Sequence, residues 1–474
     1  MNRRIFLKSA GLLVGGYCLS ESAFAHLQAD DHSSIIRGRV VAVSKGVQGV
    51  AVSDGYAIAV TDKNGDYQIT TNPESAFLFI CNPSGYEIEQ DAGFAAIYRS
   101  LDQQHYTFHL RKSELDDLHH GFIGLGDPQV RVQDDVRQFQ QESIPDMQQF
   151  IQLQTHRSFH GISVGDSIWD KPDMWQPYQE AVAQLGIPFF QTVGNHDKHE
   201  STQHQPDTAA LFKMHCGPTY YSFNRGMAHY VVLDNVNYTS IKDYNGEISA
   251  EQLAWLAKDL ALVPHDHLLI LSVHIPVYNA VKNKQDLYAL LAPFSNVHIL
   301  SGHTHQNTNH IHQHIFEHTI ASVCGAWWTG SVCTDGTPRG YAVFEVQGST
   351  LSWCYKSIGK DTDYQFRTSV QRLNKGHRIT VNVWNYDPEW KVQWYADGKL
   401  MGHMDQTKTL DPLARSLYEG PQLPADRRGW VEPRRTAHIF YTQTRAKQVQ
   451  IVVTDRFGRE FKEDVNLKET YAIS

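Results

Sequence analysis

The sequence has no surplus of basic charge: its 474 residues carry 42 Lys and Arg against 51 Asp and Glu, a formal net charge of −9. Proteins that hold a phosphate backbone neutralise it with Lys and Arg, so this balance argues against nucleic acid as the main partner. Cysteine is scarce, with six in the chain. Once Cys18 is set aside with the leader described below, Cys81, Cys216, Cys324, Cys333 and Cys354 remain, and an odd count excludes a complete disulfide framework. Cys324 and Cys333 flank Gly325 to Gly330 and leave open either one loop-closing bridge or buried free thiols. Long apolar runs are also lacking. The N-terminal run Ala10 to Leu19 falls far short of the roughly 20 residues a membrane span needs, and no later segment is long enough. Internal repeats and low-complexity tracts are absent.

What is abundant is histidine, at 26 residues, and imidazole is the commonest metal ligand. The chain opens with Arg3-Arg4-Ile5-Phe6-Leu7-Lys8, the apolar run and the small-residue site Ala23-Phe24-Ala25, which together read as a twin-arginine signal peptide over residues 1–25. The expected mature chain begins at His26 and, without Arg3, Arg4, Lys8 and Glu21, carries a net charge of about −11. Export by the twin-arginine machinery implies a periplasmic or secreted protein.

Three zones follow. Residues 35–112 read as short strands with hairpin cues at Asp54-Gly55 and Asn64-Gly65, which predicts a small N-terminal β-sandwich (Ig-like or carboxypeptidase-regulatory-like). A polar linker, Lys112 to Asp117, leads into residues 119–346, where apolar strands alternate with amphipathic helical windows such as Asp173–Gln184 and Ser249–Leu262, the pattern of a layered α/β domain. Residues 350–474 return to period-two alternation, as in Ile379–Trp384 and Gln448–Val453, and are expected to be β-rich. Within them Leu410 to Arg435 reads as a long loop without clear period.

Chemistry-bearing residues concentrate in the middle zone, where five polar clusters each end an apolar strand. Phe122 to Leu125 leads to Gly126-Asp127-Pro128-Gln129, Ile162 to Val164 to Gly165-Asp166, and Phe189 to Val193 to Gly194-Asn195-His196-Asp197. Leu269 to Val273 leads to His274, and Val297 to Ser301 to Gly302-His303-Thr304-His305. Groups at the carboxyl ends of neighbouring strands in layered folds converge on one crevice. Asp, Asn, Gln and His gathered there form a ligand set for hard or borderline divalent metals. A single Asp after a strand is more often a cap or turn residue, but five clusters in this order are not explained that way.

On these blocks the chain resembles the calcineurin-like metallophosphoesterase superfamily, whose motifs read D-x-H, G-D, G-N-H-D/E, H and G-H-x-H. Tyr220 to Phe223, Tyr230 to Asp234, Gly325 to Trp328 and Gly340-Tyr341 are similar to an exported three-domain subgroup with an N-terminal sandwich and a β-rich C-terminal domain. The resemblance implies an α/β fold class: a layered metallophosphoesterase core of mixed sheets flanked by helices, between two β-domains. It implies a dinuclear site for two divalent ions, Mn, Fe or Zn. Asp127, Gln129, Asp166 and His305 would hold the first, and Asp166, Asn195, His274 and His303 the second. Such ions, roughly 3.5–4 Å apart, activate a hydroxide for in-line attack on a phosphate monoester or diester. His196 would be the leaving-group acid, oriented by Asp197.

The sequence departs from the motif at Gln129, which stands where many members have His; a neutral amide is a weaker ligand, and a role as hydrogen-bonding support is its alternative. Trp169 and Asp170 read either as substrate contacts or as packing and capping residues. Trp327 and Trp328 are candidate substrate walls, with core packing as the alternative. Lys198, Arg225 and Arg339 are unranked candidates for gripping a phosphate dianion. His310, His312, His314 and His318 read as a solvated strand face rather than an auxiliary metal patch. A second functional class remains open, an envelope- or matrix-binding protein with a decayed phosphoesterase core. Retention of Asp127, Asp166, Asn195, His196, His274, His303 and His305 favours the enzyme.

Overall fold

A computed structural model describes residues 34–154, 156–198, 207–240, 243–421, 423, 425 and 427–468. The leader, Cys18, His26, His199 and His204 lie outside the described residues.

The chain folds as a mixed α/β protein rich in strand. Its first part pairs two four-stranded sheets. In one, Ile35–Ala42 lies between His105–Leu110 and Asp66–Thr70. The alternation along Asp66–Thr70 and His105–Leu110 puts every second residue inside, as expected of strands with one solvated face.

Two further sheets face each other in the middle of the chain. The first runs, in spatial order, Thr350–Ser357, Gly340–Gln347, His119–Leu125, Ser158–Ser163, Phe189–Gln191, Phe94–Ala95 and Gln90–Asp91. Its last two strands come from the N-terminal region, where Phe94 pairs in parallel with Phe189. Thr350–Ser357 is hydrogen-bonded to Gly340–Gln347 along its whole length. The second sheet runs Tyr221–Arg225, Ala228–Val232, Leu268–Ser272, Asn296–Ser301, Ile315–Thr319 and Thr308–His312. Parallel strands covered on both faces read as unbroken apolar runs, and all five residues of Leu268–Ser272 are buried. Aromatic rings join the sheets: Phe223 stacks on Phe190 at 3.7 Å and on Tyr230 at 4.6 Å, and Tyr230 meets Phe122 edge-on at 5.6 Å.

Helices cover the outer faces. Ala250–Leu260 starts at Ser249, whose hydroxyl accepts from the Gln252 amide, a side-chain N-cap. The window from Asp173 forms the helix Trp175–Ala183 after a short 3-10 turn. The C-terminal part packs two four-stranded sheets around Ile379, Val381, Ile451 and Val453. The segment expected to be an aperiodic loop from Leu410 to Arg435 begins instead with a helix, Pro412–Glu419. Asp411 caps it through the Ala414 amide at 2.8 Å, and Pro412 sits at the first helical position, where its missing N–H costs nothing.

Several histidines are structural. His318, grouped by sequence with a solvated face, is buried and stacked on His298 at 5.2 Å, with a ring-to-ring hydrogen bond of 2.9 Å. His310 and His312 lie over Tyr278 and Tyr288. All five described cysteines are free thiols, Cys324 and Cys333 among them.

Buried His229 faces an acceptor from each ring nitrogen, Asn224 Oδ1 at 2.7 Å and Asp259 Oδ2 at 2.8 Å, so its geometry calls for an imidazolium. Burial alone would lower its pKa, but Asp259 outweighs that and lifts it to about 10. The ordinary histidine value is about 6.5. The stabilisation is therefore complete below pH of about 6.5 and is lost as pH rises through about 10. In thermal unfolding across pH 7 to 10, the wild type is expected to lose stability more steeply than a His229→Phe/Asp259→Leu double variant. Asp259→Asn alone should cost roughly 3–5 kcal/mol, because it strands a buried charge.

Candidate metal centre

The five clusters meet at one edge of the molecule because each lies just beyond the carboxyl end of a core strand. Asp127 and Gln129 follow His119–Leu125, Asp166 follows Ser158–Ser163, and Asn195 and His196 follow Phe189–Gln191. His274 follows Leu268–Ser272, and His303 and His305 follow Asn296–Ser301. One sheet thus contributes the carboxylates, the amides and His196, and the other the imidazoles of His274, His303 and His305.

The backbone bends hard to achieve this. Of thirteen described non-glycine residues with positive φ, eight belong to this region: Asp127, Gln129, Asp166, Asp170, His303, His305, Trp327 and Trp328. Such strain costs of order 1–3 kcal/mol per residue and persists where the surroundings over-determine it. Gly194 permits the closest approach, since a Cβ there would stand 2.1 Å from the Asp166 amide nitrogen and 2.2 Å from Asp166 Oδ1.

His274 sits at the centre. Its Nδ1 donates to the Val164 carbonyl at 2.8 Å. Its Nε2 faces Asn195 Oδ1 at 3.0 Å, His303 Nδ1 at 3.2 Å and Asp166 Oδ1 at 3.3 Å. In a neutral ring that Nε2 carries a lone pair, so acceptors face acceptors. Ligand atoms of Asp166, His274 and His303 all lie within 4.8 Å of one another. Beside them, His305 Nε2 is 3.7 Å from Asp127 Oδ1. Gln129 donates through Nε2 to Asp166 Oδ2 at 2.7 Å, while its Oε1 is buried without a partner. An inward-facing set of O and N lone pairs with an orphaned amide oxygen fits divalent cations.

The electrostatics agree. Burial, reinforced by Asp166, lifts Asp127 to about 8. Burial would lower His274, yet Asp166 and Asp127 carry it up to about 9. Burial would raise Asp166, but the imidazoles, His274 foremost, hold it well below the carboxylate range. His303 and His305 are pushed down to about 3 and 4, mainly by burial. Without a cation, protons have to compensate the clustered charge.

Asp197 does not orient His196, contrary to expectation. Its buried carboxylate accepts from the amides of Gly194, at 2.9 Å, and Ile168, at 3.1 Å. It therefore ties the Asn195 turn to the segment after Asp166. The partner of His196 is Asp170, whose Oδ1 lies 2.9 Å from Nδ1. The pKa of His196 is raised: burial works against this, but Asp166 and Asp170 prevail.

The two tryptophans separate. Trp328 is a packing residue, with Nε1 donating to the Pro128 carbonyl and Arg339 over its ring. Trp327 stacks on His305 at 4.3 Å. The three cations singled out by sequence are engaged elsewhere. Lys198 holds Asp234 and the Val236 carbonyl, Arg225 is buried near Asp117, and Arg339 pairs with Glu142. Sequence reasoning missed Arg131 and Arg428, which lie over the Trp169 ring at 4.6 and 5.7 Å; no motif marks them, because Arg428 arrives from the C-terminal part.

Fold and site define the class, a metal-dependent phosphoric ester hydrolase. Residues 117–307 match the family described as "Calcineurin-like phosphoesterase", residues 34–113 the "N terminal of Calcineurin-like phosphoesterase" and residues 317–461 its "C terminal" counterpart. The chain belongs to the calcineurin-like phosphoesterases. It is 25% identical over 202 residues to the 3',5'-cyclic adenosine monophosphate phosphodiesterase CpdA of Escherichia coli, covering 37% of this chain and 70% of that protein. It is 25% identical over 164 residues to a probable cyclic nucleotide phosphodiesterase of Psychrobacter arcticus, covering 32% of this chain and 59% of that protein. Among solved structures, the purple acid phosphatase PPD1 of yellow lupin superposes with a TM-score of 0.38 and 13% identity over 63% of this chain and 56% of that chain. The 5'-nucleotidase of Candida albicans gives 0.34 and 12% over 53% and 54%.

The crowding at Gly194 is directly testable. Gly194→Ala should displace Asp166 and destabilise the fold by about 1–3 kcal/mol, the usual range for overpacking, as read by urea unfolding of the metal-free protein.

Proposed function

We propose that this chain is an exported phosphoesterase that uses two divalent ions, Mn, Fe or Zn, to hydrolyse a phosphate monoester or diester. The observation that carries the reading is the convergence of lone pairs from His274, Asn195, Asp166 and His303, beside the orphaned Gln129 Oε1. Asp127, Gln129, Asp166 and His305 would hold one ion and Asp166, Asn195, His274 and His303 the other. When bound, the ions would supply a nucleophilic hydroxide and neutralise charge developing on phosphorus. The chain's own contribution is orientation and proton supply. Val164 fixes the His274 tautomer through Nδ1, which aims Nε2 inward. Gln129 holds Asp166 by one amide hydrogen while offering its oxygen. Asp170 engages His196 Nδ1 and, with Asp166, raises its pKa against the effect of burial, which favours the protonated ring whose Nε2–H the departing alkoxide needs. The names of the bacterial relatives support phosphate-ester cleavage as the reaction. Export rests on the leader sequence.

With manganese added, the wild type is expected to hydrolyse p-nitrophenyl phosphate or bis-p-nitrophenyl phosphate. Asp166→Asn should lower kcat/KM by about a hundredfold or more; equal rates for the two proteins would sink the catalytic assignment. Asp170→Asn removes one of the two charges that raise the His196 pKa. Its pH–rate profile should therefore lose activity on the alkaline side at a lower pH than wild type. The deficit should be larger for an alkyl phosphate than for p-nitrophenyl phosphate, whose leaving group needs little protonation.

A further inference from the structure

An arc of aromatic rings rims the metal centre, and its middle member comes from the C-terminal part. His305 stacks on Trp327, Trp327 meets Trp430 at 6.3 Å, Trp430 meets Trp169 at 5.5 Å, and Trp169 meets His196 at 6.1 Å. Both contacts of Trp430 are edge-on, at 77° and 84°. Trp430 thus turns a corner between Trp327 and Trp169 and stacks on neither. Trp430 is also 54% exposed, so much of its ring surface is open to a ligand.

Charge is arranged at the same corner. Arg131 and Arg428 both lie over Trp169, and neither takes part in an ion pair among the described residues. The Arg428 Nε–H is buried without an acceptor. Both guanidinia stabilise the charge of the buried Asp135 without forming an ion pair to it, so in an acidic chain guanidinium donors remain for an anion beside the metal centre.

We propose that Trp430 and Arg428, carried by the segment after the helix Pro412–Glu419, complete a substrate subsite for phosphate esters whose leaving group bears a planar ring. The ring lies against Trp430 and Trp327, and the guanidinia of Arg428 and Arg131 take the anionic oxygens that the metal centre leaves free. The C-terminal part is thereby a specificity element of the active site. This inference rests on the phosphoesterase reading above.

The test is binding of two non-hydrolysable probes, phenylphosphonate and methylphosphonate, to the manganese-loaded full-length protein by calorimetry. Wild type should bind phenylphosphonate about tenfold more tightly, the size of gain an aromatic platform provides. Trp430→Ala should erase that preference and Trp430→Phe retain most of it. Arg428→Gln should weaken both probes with the preference unchanged, and Arg428→Lys should restore part of the loss. A wild-type preference near one, or a preference unaltered in Trp430→Ala, overturns the proposal. If wild type hydrolyses no ester yet shows the preference, the phosphoesterase reading fails while the subsite stands. Hydrolysis without the preference has the opposite meaning.

Discussion

The structure depends on holding mutually repelling groups together in a buried place. Asp127 and Asp166 are fully buried carboxylates within reach of each other's charge, and three imidazoles are packed among them. In water these groups would separate; here rigid strands hold them close, and only protons or cations can balance them. The consequences spread outward. The turns after His119–Leu125, Ser158–Ser163 and Asn296–Ser301 take strained left-handed conformations, and glycine stands where a side chain would collide with a ligand, as at Gly194 and Gly302. Beneath them the stacked rings of Phe190, Phe223 and Tyr230 fix one sheet against the other. A slip between the sheets would move the imidazoles relative to the carboxylates.

The flanking parts are tied into that frame. The N-terminal region extends the first core sheet through Phe94 and accepts a hydrogen bond from Trp255 on Ser53. The C-terminal part is locked by a buried polar network. There His438 bridges Asn382 and Asp335, and Asn382 also donates to Asp411. Asp411 caps the helix from which the chain runs on toward Trp430. This network fixes the start of that helix against Asp335.

Much of the site was legible in sequence because its chemistry is local. Each ligand follows an apolar strand within a few residues, so strand periodicity and the glycine before four of the five clusters marked the positions without knowledge of the fold. The orientation of His196 was not legible in this way. Asp197, its neighbour in sequence, turns inward to bond the amides of Gly194 and Ile168, and Asp170, 26 positions away, reaches the ring. The division between Trp327 and Trp328 is similar, since adjacent residues on a strained turn point to different sides. Histidine abundance was a weak guide, because His229, His298 and His318 serve the core.

The sequence by itself determined the kinds of groups available, the strands that carry them, their order, and the acidic balance of the chain. These are properties of residue type and short-range period. Only the tertiary structure decided which lone pairs face one another, which cations border the site, and which distant segment reaches it. Those outcomes depend on how two sheets and a C-terminal segment pack across long separations in the chain, where contact is set by register and burial rather than by neighbouring residues.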